Sequence, residues 1–266
     1  RGDLTLFDEG IRIIEEDFKI KVLGVLPYLP FNLGFEDSAS LKNFVQQPQN
    51  KKLDVAVIAY PYMSNYNDFE PLIADDEVLV EFVSSNISLE KFDVVILPGS
   101  KLVIKDLIWL KQTGLFEQIK NYKKDIFAIC GGYEMMFESL EDIYSLENEN
   151  ALKEDGFGLI DDVIVFEKEK VLKKESYELF GTKIDGFEIH HGMCKKYPLS
   201  FEKENFKGTF VHKIFDNNEF RTNYFKSIKK DYVGFDFQEY KKKTVENFIS
   251  TLKDRLDVEH ILKSIS

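Results

Sequence analysis

The hydrophobic pattern of the chain alternates short apolar runs with segments of helical periodicity. The runs are rich in β-branched residues or alternate apolar with polar side chains, as strands do. They cover residues 53–60, 77–83, 92–97 and 126–129. Helical spacing occurs at 106–110 and 116–122. This alternation predicts an α/β fold in which a doubly wound, mostly parallel sheet forms a flavodoxin-like core.

The ends of the chain and its second half add further elements. Additional strands are predicted at 22–26, 159–166, 186–190 and 208–212, and additional helices at 4–18, through Met135, Met136 and Leu140, and at 241–261. A polar stretch that contains Gln-Gln-Pro-Gln-Asn-Lys-Lys ends near residue 50 and has the composition of a linker. We therefore predict a domain boundary there, between residues 1–50 and a main domain at 51–266.

Composition excludes several classes of protein. The 266 residues carry 35 Lys and Arg against 47 Asp and Glu, a net charge of −12, and this acidic balance argues against a nucleic-acid binder. No apolar run approaches the roughly 20 residues that span a bilayer, so no membrane partner is expected. The two cysteines are too few for a disulfide framework, and the cytoplasm is the expected compartment. The chain begins with Arg1 rather than Met, and we expect a fragment of a longer protein.

Cys130 follows the apolar run at 126–129 directly and precedes Gly131 and Gly132. A side chain at the end of a buried strand is exposed at the carboxyl edge of the sheet, and a helix that starts there favours the thiolate form. This pattern predicts a strand–nucleophile–helix elbow with a cysteine nucleophile. The alternative is a buried structural cysteine at a tight turn. Cys194 is expected to pack at a strand end and to be dispensable.

A cysteine nucleophile needs a base, and the chain has four histidines. His212 ends one predicted strand, and His190 and His191 end another. Either place suits the base of a thiol hydrolase, although each histidine taken singly has an ordinary structural role as its alternative. His260 lies on the C-terminal helix and is expected to be structural.

The turn Pro98-Gly99-Ser100 ends the apolar run at 92–97, one strand before the cysteine. Its backbone N–H groups are therefore expected to face the same crevice and to form an oxyanion hole with the N–H of Gly131. The alternative is an ordinary Pro-Gly turn.

Motifs across nearly the whole chain carry a family resemblance. They are RGDL at 1–4, VLGVLPYLP at 22–30, AYPYMSNYNDFEPL at 59–72, LPGSKLVIKDLIWLKQTGL at 97–115, AICGGYEMM at 128–136, GFEIHHG at 186–192 and GTFVHKIFDNNEFR at 208–221. In this order they resemble class I, triad-type glutamine amidotransferase domains, and more narrowly the C-terminal half of the cobyric acid synthase family. Ser64, Asn65, Asp68 and Phe69 separate this family from the related a,c-diamide synthases and cell-wall amidating subunits.

The resemblance implies a glutaminase that hydrolyses L-glutamine through a cysteine thioester. It implies Cys130 as nucleophile, His212 as general base, and Gly99 and Gly131 as oxyanion donors. The other implied pocket residues are Ser100, Glu134, Glu188 and His190, with no metal ligands among them. The family uses the ammonia for ATP-dependent amidation of side-chain carboxylates on a corrinoid, adenosylcobyrinic acid a,c-diamide.

The chain departs from the family pattern at several points. It has no Gly-x-x-x-x-Gly-Lys-Ser/Thr motif, so ATP and Mg are expected in a synthetase domain of which residues 1–50 are the tail and linker. Glu134 stands where the family commonly has Gln, and Lys213 where it usually has Gly. Phe215 replaces an acid that many relatives carry shortly after the histidine, a loss that is usual in this subfamily.

These departures keep two other functions open. One is a non-catalytic module with an amidotransferase fold, suggested by Glu134 and Lys213. The other is the glutaminase subunit of a different ATP-dependent amidating enzyme.

Overall fold

The computed structural model describes residues 4–27, 46, 48–147 and 152–265. The strands are β1 (Leu53–Ile58), β2 (Val78–Val83), β3 (Val94–Leu97), β4 (Asp125–Ile129), β5 (Phe137–Asp142), β6 (Leu152–Asp155), β7 (Ile160–Leu179), β8 (Thr182–Met193), β9 (Ser200–Lys203) and β10 (Phe206–Thr209). The α-helices are α1 (Asp8–Asp17), α2 (Glu70–Ile73), α3 (Val103–Thr113), α4 (Leu115–Asn121), α5 (Gly131–Glu134), α6 (Asn218–Ile228), α7 (Phe237–Arg255) and α8 (Val258–Ile265).

The central sheet has the strand order β2-β1-β3-β4-β10-β9. All neighbouring strands are parallel except the pair β9 and β10. β3 and all of β4 except its first residue are buried, and their sequences are correspondingly apolar, as is typical of central parallel strands. The order reverses between β1 and β3, as it does in doubly wound sheets. The predicted fold class is confirmed.

A second sheet has the strand order β6-β5-β7-β8. Its β5 corrects the predicted helix through Met135, Met136 and Leu140. The helix after Cys130 ends at Glu134, and the chain continues as a strand that pairs with β6 and β7. The apolar positions in this stretch fit either period, and pairing on both sides of β5 decides in favour of the strand.

The chain divides into two compact units, Arg1–Gly34 with Gln238–Ser266, and Phe35–Phe237. This division differs from the predicted one, because the C-terminal helices group with the N-terminal segment instead of with the main domain. Among the described residues, no helix is long and apolar enough to cross a membrane.

In the smaller unit, the predicted strand at 22–26 is wrong. Among the described residues, its one ladder contact is a bridge between Gly24 and Leu256. Gly24 has a φ of +147°, and a Cβ there would lie 2.0 Å from the carbonyl oxygen of Arg255, so glycine is required at this close approach. The predicted N-terminal helix is present as a 3-10 turn at Leu4–Phe7 followed by α1, and the predicted C-terminal helix is divided into α7 and α8.

Candidate active site

Cys130 occupies a strained turn between β4 and α5. Its backbone has φ +50° and ψ −112°, which a residue with a side chain adopts only when its surroundings hold it there. The Cys130 N–H donates to the carbonyl of Thr209 at 2.8 Å, and the Cys130 carbonyl accepts the N–H of Glu134 at 2.9 Å. The predicted strand–cysteine–helix junction is therefore present at the carboxyl edge of the sheet. The predicted exposure of the side chain is wrong, because Cys130 is buried and only 5% exposed.

The two glycines after the cysteine are required by close packing against β3 and the turn that follows it. A Cβ at Gly132 would lie 2.3 Å from the carbonyl oxygen of Leu97. A Cβ at Gly131 would lie 2.8 Å from the backbone nitrogen of Ser100. The two backbone segments that were predicted to form an oxyanion hole therefore touch each other.

His212 lies three residues after β10 and is held from both sides. Its backbone N–H donates to the carbonyl of Phe187 at 2.8 Å, and the Phe187 ring stacks on the imidazole with centroids 5.1 Å apart. The ring nitrogen Nδ1 lies 2.7 Å from Oδ2 of Asp68, and the Cys130 thiol is close enough to raise the pKa of the imidazole. The structure thus brings together the predicted nucleophile and the predicted base.

Charge in this cluster favours a protonated imidazole. Burial acts to lower the pKa of His212, but the Asp68 carboxylate and the Cys130 thiol outweigh it and raise the pKa to about 10. A thiol beside an imidazolium is a better nucleophile because the positive charge stabilises the thiolate.

Asp68 is the functional candidate that sequence reasoning missed. It is fully buried in a 3-10 turn at Tyr66–Phe69, on the segment that follows β1. Oδ2 faces Nδ1 of His212, and Oδ1 accepts the N–H of Lys213 at 2.9 Å. A carboxylate from another part of the chain thus lies beside the imidazole, whereas Phe215 stands where the sequence analysis looked for the acid. The one signal for it was the position of Asp68 within the AYPYMSNYNDFEPL motif.

The turn at Gly99 and Ser100 borders both reacting side chains. A Cβ at Gly99 would lie 3.1 Å from Cε1 of His212 and 3.8 Å from Cβ of Cys130. The Ser100 hydroxyl donates to Asp106 at 2.6 Å, so that this side chain fixes the turn and does not point to the thiol. Asp106 also accepts the N–H of Tyr62 at 3.0 Å. Burial raises the pKa of Asp106 to about 6, against the effect of these two hydrogen bonds.

Glu134 lies one helical turn after the cysteine and is 2% exposed. Among the described residues, its Oε1 has no hydrogen-bond partner. Burial raises the pKa of Glu134 well above its usual range, and the charges of Cys130 and Glu147 act in the same direction. A hydrogen bond from the backbone N–H of Gly192 and the charge of His212 partly offset these effects.

Glu188 and His190 lie on β8, and their side chains pair with each other. His190 contacts Glu188 through Nε2 at 3.3 Å and the Gly192 carbonyl through Nδ1 at 2.8 Å, and its ring stacks on Phe210. Burial acts to raise the pKa of Glu188, but His190 and a tyrosine outweigh it and lower the pKa. Within the described part of the chain, neither side chain contacts Cys130 or His212. β8 borders the site through the residue between them, because the Ile189 carbonyl lies 3.7 Å from Sγ of Cys130.

The remaining cysteine and histidines lie apart from this cluster. Cys194 follows β8 and is half-buried, and burial raises its pKa to about 11. His191 contacts the Glu167 carbonyl at 2.9 Å, and His260 is exposed on α8. No group of three or more His, Cys, Asp and Glu side chains in the described ranges is arranged to hold a metal ion. A thiol, an imidazole and a buried carboxylate in this order suit acyl transfer.

Comparison with known proteins supports this chemistry. The family profile of the CobB/CobQ-like glutamine amidotransferase domain matches residues 54–220. A cobyric acid synthase of Acinetobacter baylyi is 64% identical over 265 residues, which is 100% of this chain and 57% of the relative. One of Clostridium tetani is 34% identical over 100% of this chain and 59% of the relative, and one of Prochlorococcus marinus is 37% identical over 86% and 51%.

The chain thus spans somewhat more than half the length of these relatives. A solved structure of a glutamine amidotransferase covers 65% of the chain at 13% identity, with a TM-score of 0.47. The family profile covers more than half of the 266 residues and includes Asp68, Cys130 and His212. The chain belongs to the CobB/CobQ-like glutamine amidotransferase family.

Proposed function

We propose that this chain is the glutaminase portion of a cobyric acid synthase. The observation that carries the proposal is the contact of His212 with both Asp68 and Cys130, at the carboxyl edge of the parallel sheet. The identity of 64% to a cobyric acid synthase supports the choice among amidotransferases.

In the proposed reaction, the thiolate of Cys130 attacks the side-chain amide carbon of L-glutamine. The imidazolium of His212 gives its proton to the departing ammonia, and a thioester to Cys130 remains. His212 then takes a proton from water, which attacks the thioester and releases glutamate. The backbone N–H groups of Gly99 and Gly131 stabilise the oxyanion of each tetrahedral intermediate.

The ammonia is proposed to serve ATP-dependent amidation of side-chain carboxylates on a corrinoid. ATP and Mg would bind to a synthetase domain outside this chain, because its sequence has no P-loop. We further propose a cytoplasmic location, on the basis of the two unpaired cysteines.

The test is ammonia release from L-glutamine by the wild-type chain and by Cys130→Ser, each alone and with the synthetase half of a related cobyric acid synthase added. We expect release by the wild type that disappears in the variant. Equal release by both proteins would refute Cys130 as nucleophile. A folded wild type that is silent in both conditions would favour the non-catalytic module instead.

A further inference from the structure

Asp106 is a fully buried carboxylate on α3 that binds two separate backbone segments beside the active site. Its Oδ1 accepts the backbone N–H of Tyr62 at 3.0 Å, and its Oδ2 accepts the hydroxyl of Ser100 at 2.6 Å. Tyr62 lies on the segment that leads from β1 to Asp68, and Ser100 lies on the turn that follows β3 and contains Gly99. One side chain thus joins the segment of the buried acid to the turn of a proposed oxyanion donor.

The two segments also pair directly through their backbones. The N–H of Ser64 donates to the carbonyl of Gly99 at 2.9 Å, and the N–H of Lys101 donates to the carbonyl of Tyr62 at 2.9 Å. So short a pairing is not stable by itself. The hydrogen bonds to Asp106 hold the same two segments together from the side of α3.

The hydrogen bonds around Asp106 call for a carboxylate. Tyr62 and Ser100 are both donors to it, and the Ser100 hydroxyl in turn accepts the N–H of Leu102 at 3.1 Å. A carboxylate has an acceptor oxygen for each donor, whereas the amide of an asparagine has only one. Burial raises the pKa of Asp106 to about 6 against the effect of the two hydrogen bonds, so the group is still ionised at neutral pH.

The joined segments border both reacting side chains. A Cβ at Gly99 would lie 3.1 Å from Cε1 of His212 and 3.8 Å from Cβ of Cys130. A Cβ at Gly131 would lie 2.8 Å from the backbone nitrogen of Ser100. A shift of this turn would therefore displace it relative to the imidazole and the thiol. A misplacement of about 1 Å in an active site can lower the rate by about 10²-fold.

We propose that Asp106 is a positioning residue, which fixes the turn that contains Gly99 to the segment 62–68 and thereby holds an oxyanion donor in place relative to His212. Asp106 acts through the backbone of these two segments. Its effect on catalysis rests on the proposed glutaminase function, whereas its effect on the two segments does not. Two separate measurements therefore test the two effects.

The first measurement is hydrogen–deuterium exchange of the wild type and Asp106→Asn in the absence of glutamine. The amide has nearly the volume of the carboxylate but can accept from only one of the two donors. We expect exchange of the Ser64 and Lys101 N–H groups to become roughly three- to tenfold faster, with unchanged exchange in β1 and β4. Equal exchange of these two groups in both proteins overturns the proposal.

The second measurement is ammonia release from L-glutamine, as kcat and KM. Asp106→Asn should lower kcat by about 10- to 10²-fold and change KM by less than about threefold, because a displaced oxyanion donor acts mainly on the transition state. Urea unfolding gives the folded fraction. A merely structural role would lower that fraction and leave kcat per folded molecule unchanged, and this result overturns the proposal.

Ser100→Ala removes the other partner of the 2.6 Å hydrogen bond. If Asp106 and Ser100 act through this one bond, the double variant should lose no more kcat than the worse single variant. Losses that multiply would show that each residue acts alone, and would overturn the proposal. Should Asp106→Asn not fold, Ser100→Ala replaces it in both measurements, with the same expected and overturning results.

Asp76→Asn is the matched control, because it makes the same chemical change at an exposed position. Its exchange and its kcat should equal those of the wild type. Changes in this control as large as those in Asp106→Asn would show that the loss of any acidic charge suffices, and would overturn the proposal. A wild type that releases no ammonia would refute the proposed function, and faster exchange in Asp106→Asn alone would still support the role of Asp106 in holding the two segments together.

Discussion

The Asp68 carboxylate and the His212 imidazole lie 2.7 Å apart, although 144 positions separate the two residues in the chain. Both side chains are 1% exposed. Oδ2 of Asp68 fixes the ring through Nδ1, and Oδ1 holds the backbone N–H of Lys213, so that one carboxylate orients both the ring and the chain that carries it. A carboxylate in this position selects the tautomer whose other ring nitrogen serves the nucleophile.

Substitution Asp68→Asn should therefore lower glutaminase turnover by about 10²- to 10⁴-fold, because the amide neither stabilises an imidazolium nor selects that tautomer. The measurement is kcat for ammonia release, with urea unfolding to show that the variant is folded. Asp76→Asn makes the same change at an exposed position and should have wild-type turnover. A folded Asp68→Asn variant with wild-type kcat would remove Asp68 from the catalytic cluster.

The same ion pair predicts how stability depends on pH. The pKa of His212 is raised from 6.5 to about 10 in the folded protein, so protonation stabilises the fold. This contribution is complete below about pH 6.5 and is lost as the pH rises through about 10. The unfolding free energy of the wild type should therefore fall over this window, and the fall should be smaller in Asp68→Asn. Parallel curves from urea titrations of the two proteins would contradict the pairing.

The elbow at Cys130 and the parallel sheet were predictable because their signals are local. The signal for the elbow is an apolar run that ends at residue 129 and is followed directly by a cysteine and two glycines. The signal for the parallel strands is a set of short apolar runs rich in β-branched residues. The contact of Asp68 with His212 was not predictable in this way. It depends on the pairing of β1, β3, β4 and β10, which brings distant segments to one sheet edge.

Two other features show the same limit. The stretch after Glu134 has apolar spacing that fits a helix, and only the partners β6 and β7 make it a strand. Glu188 and His190 belong to a motif next to the site, but their side chains pair with each other, and it is the Ile189 carbonyl between them that lies beside the thiol. Which group of a strand borders a site is decided by its packing.

The two histidine blocks should respond differently to alanine. His212→Ala removes the group that contacts the thiol and should lower kcat by at least about 10²-fold. His190→Ala removes a hydrogen-bond partner of the buried Glu188, so its main expected effect is a loss of about 1–3 kcal/mol in unfolding free energy. Turnover per folded molecule and urea unfolding separate these effects. If the larger kcat loss per folded molecule came from His190→Ala, the role of base would move to that histidine.

Lys213 has a left-handed backbone conformation that is less favourable for lysine than for glycine. Its φ of +66° and ψ of +19° are left-handed, and its ammonium lies 3.5 Å from Asp216. Lys213→Gly should raise the unfolding free energy by about 1 kcal/mol, since the backbone N–H that binds Asp68 is retained. Lys213→Ala also lacks the ammonium but keeps the strained conformation, and should be no more stable than the wild type. Equal stability of the glycine and alanine variants in urea unfolding would refute this explanation.

A substitution at Gly132 tests how closely the start of α5 packs against β3. A Cβ there would lie 2.3 Å from the carbonyl oxygen of Leu97. Backbone atoms cannot relieve such a clash by a change of rotamer, as a flexible side chain can. Gly132→Ala should therefore cost about 1–3 kcal/mol of unfolding free energy and displace Cys130 from its base, with a fall in kcat.

The control for this packing effect is Gly10→Ala, at a helical position with nothing within 4 Å of the added Cβ. Because alanine favours the helix, this variant should be more stable by up to about 1 kcal/mol in the unfolding of its own unit. Full glutaminase activity in a stable Gly132→Ala variant would show that β3 and α5 separate without cost. The close approach of these two elements could then not be what holds the strained backbone of Cys130 at the sheet edge.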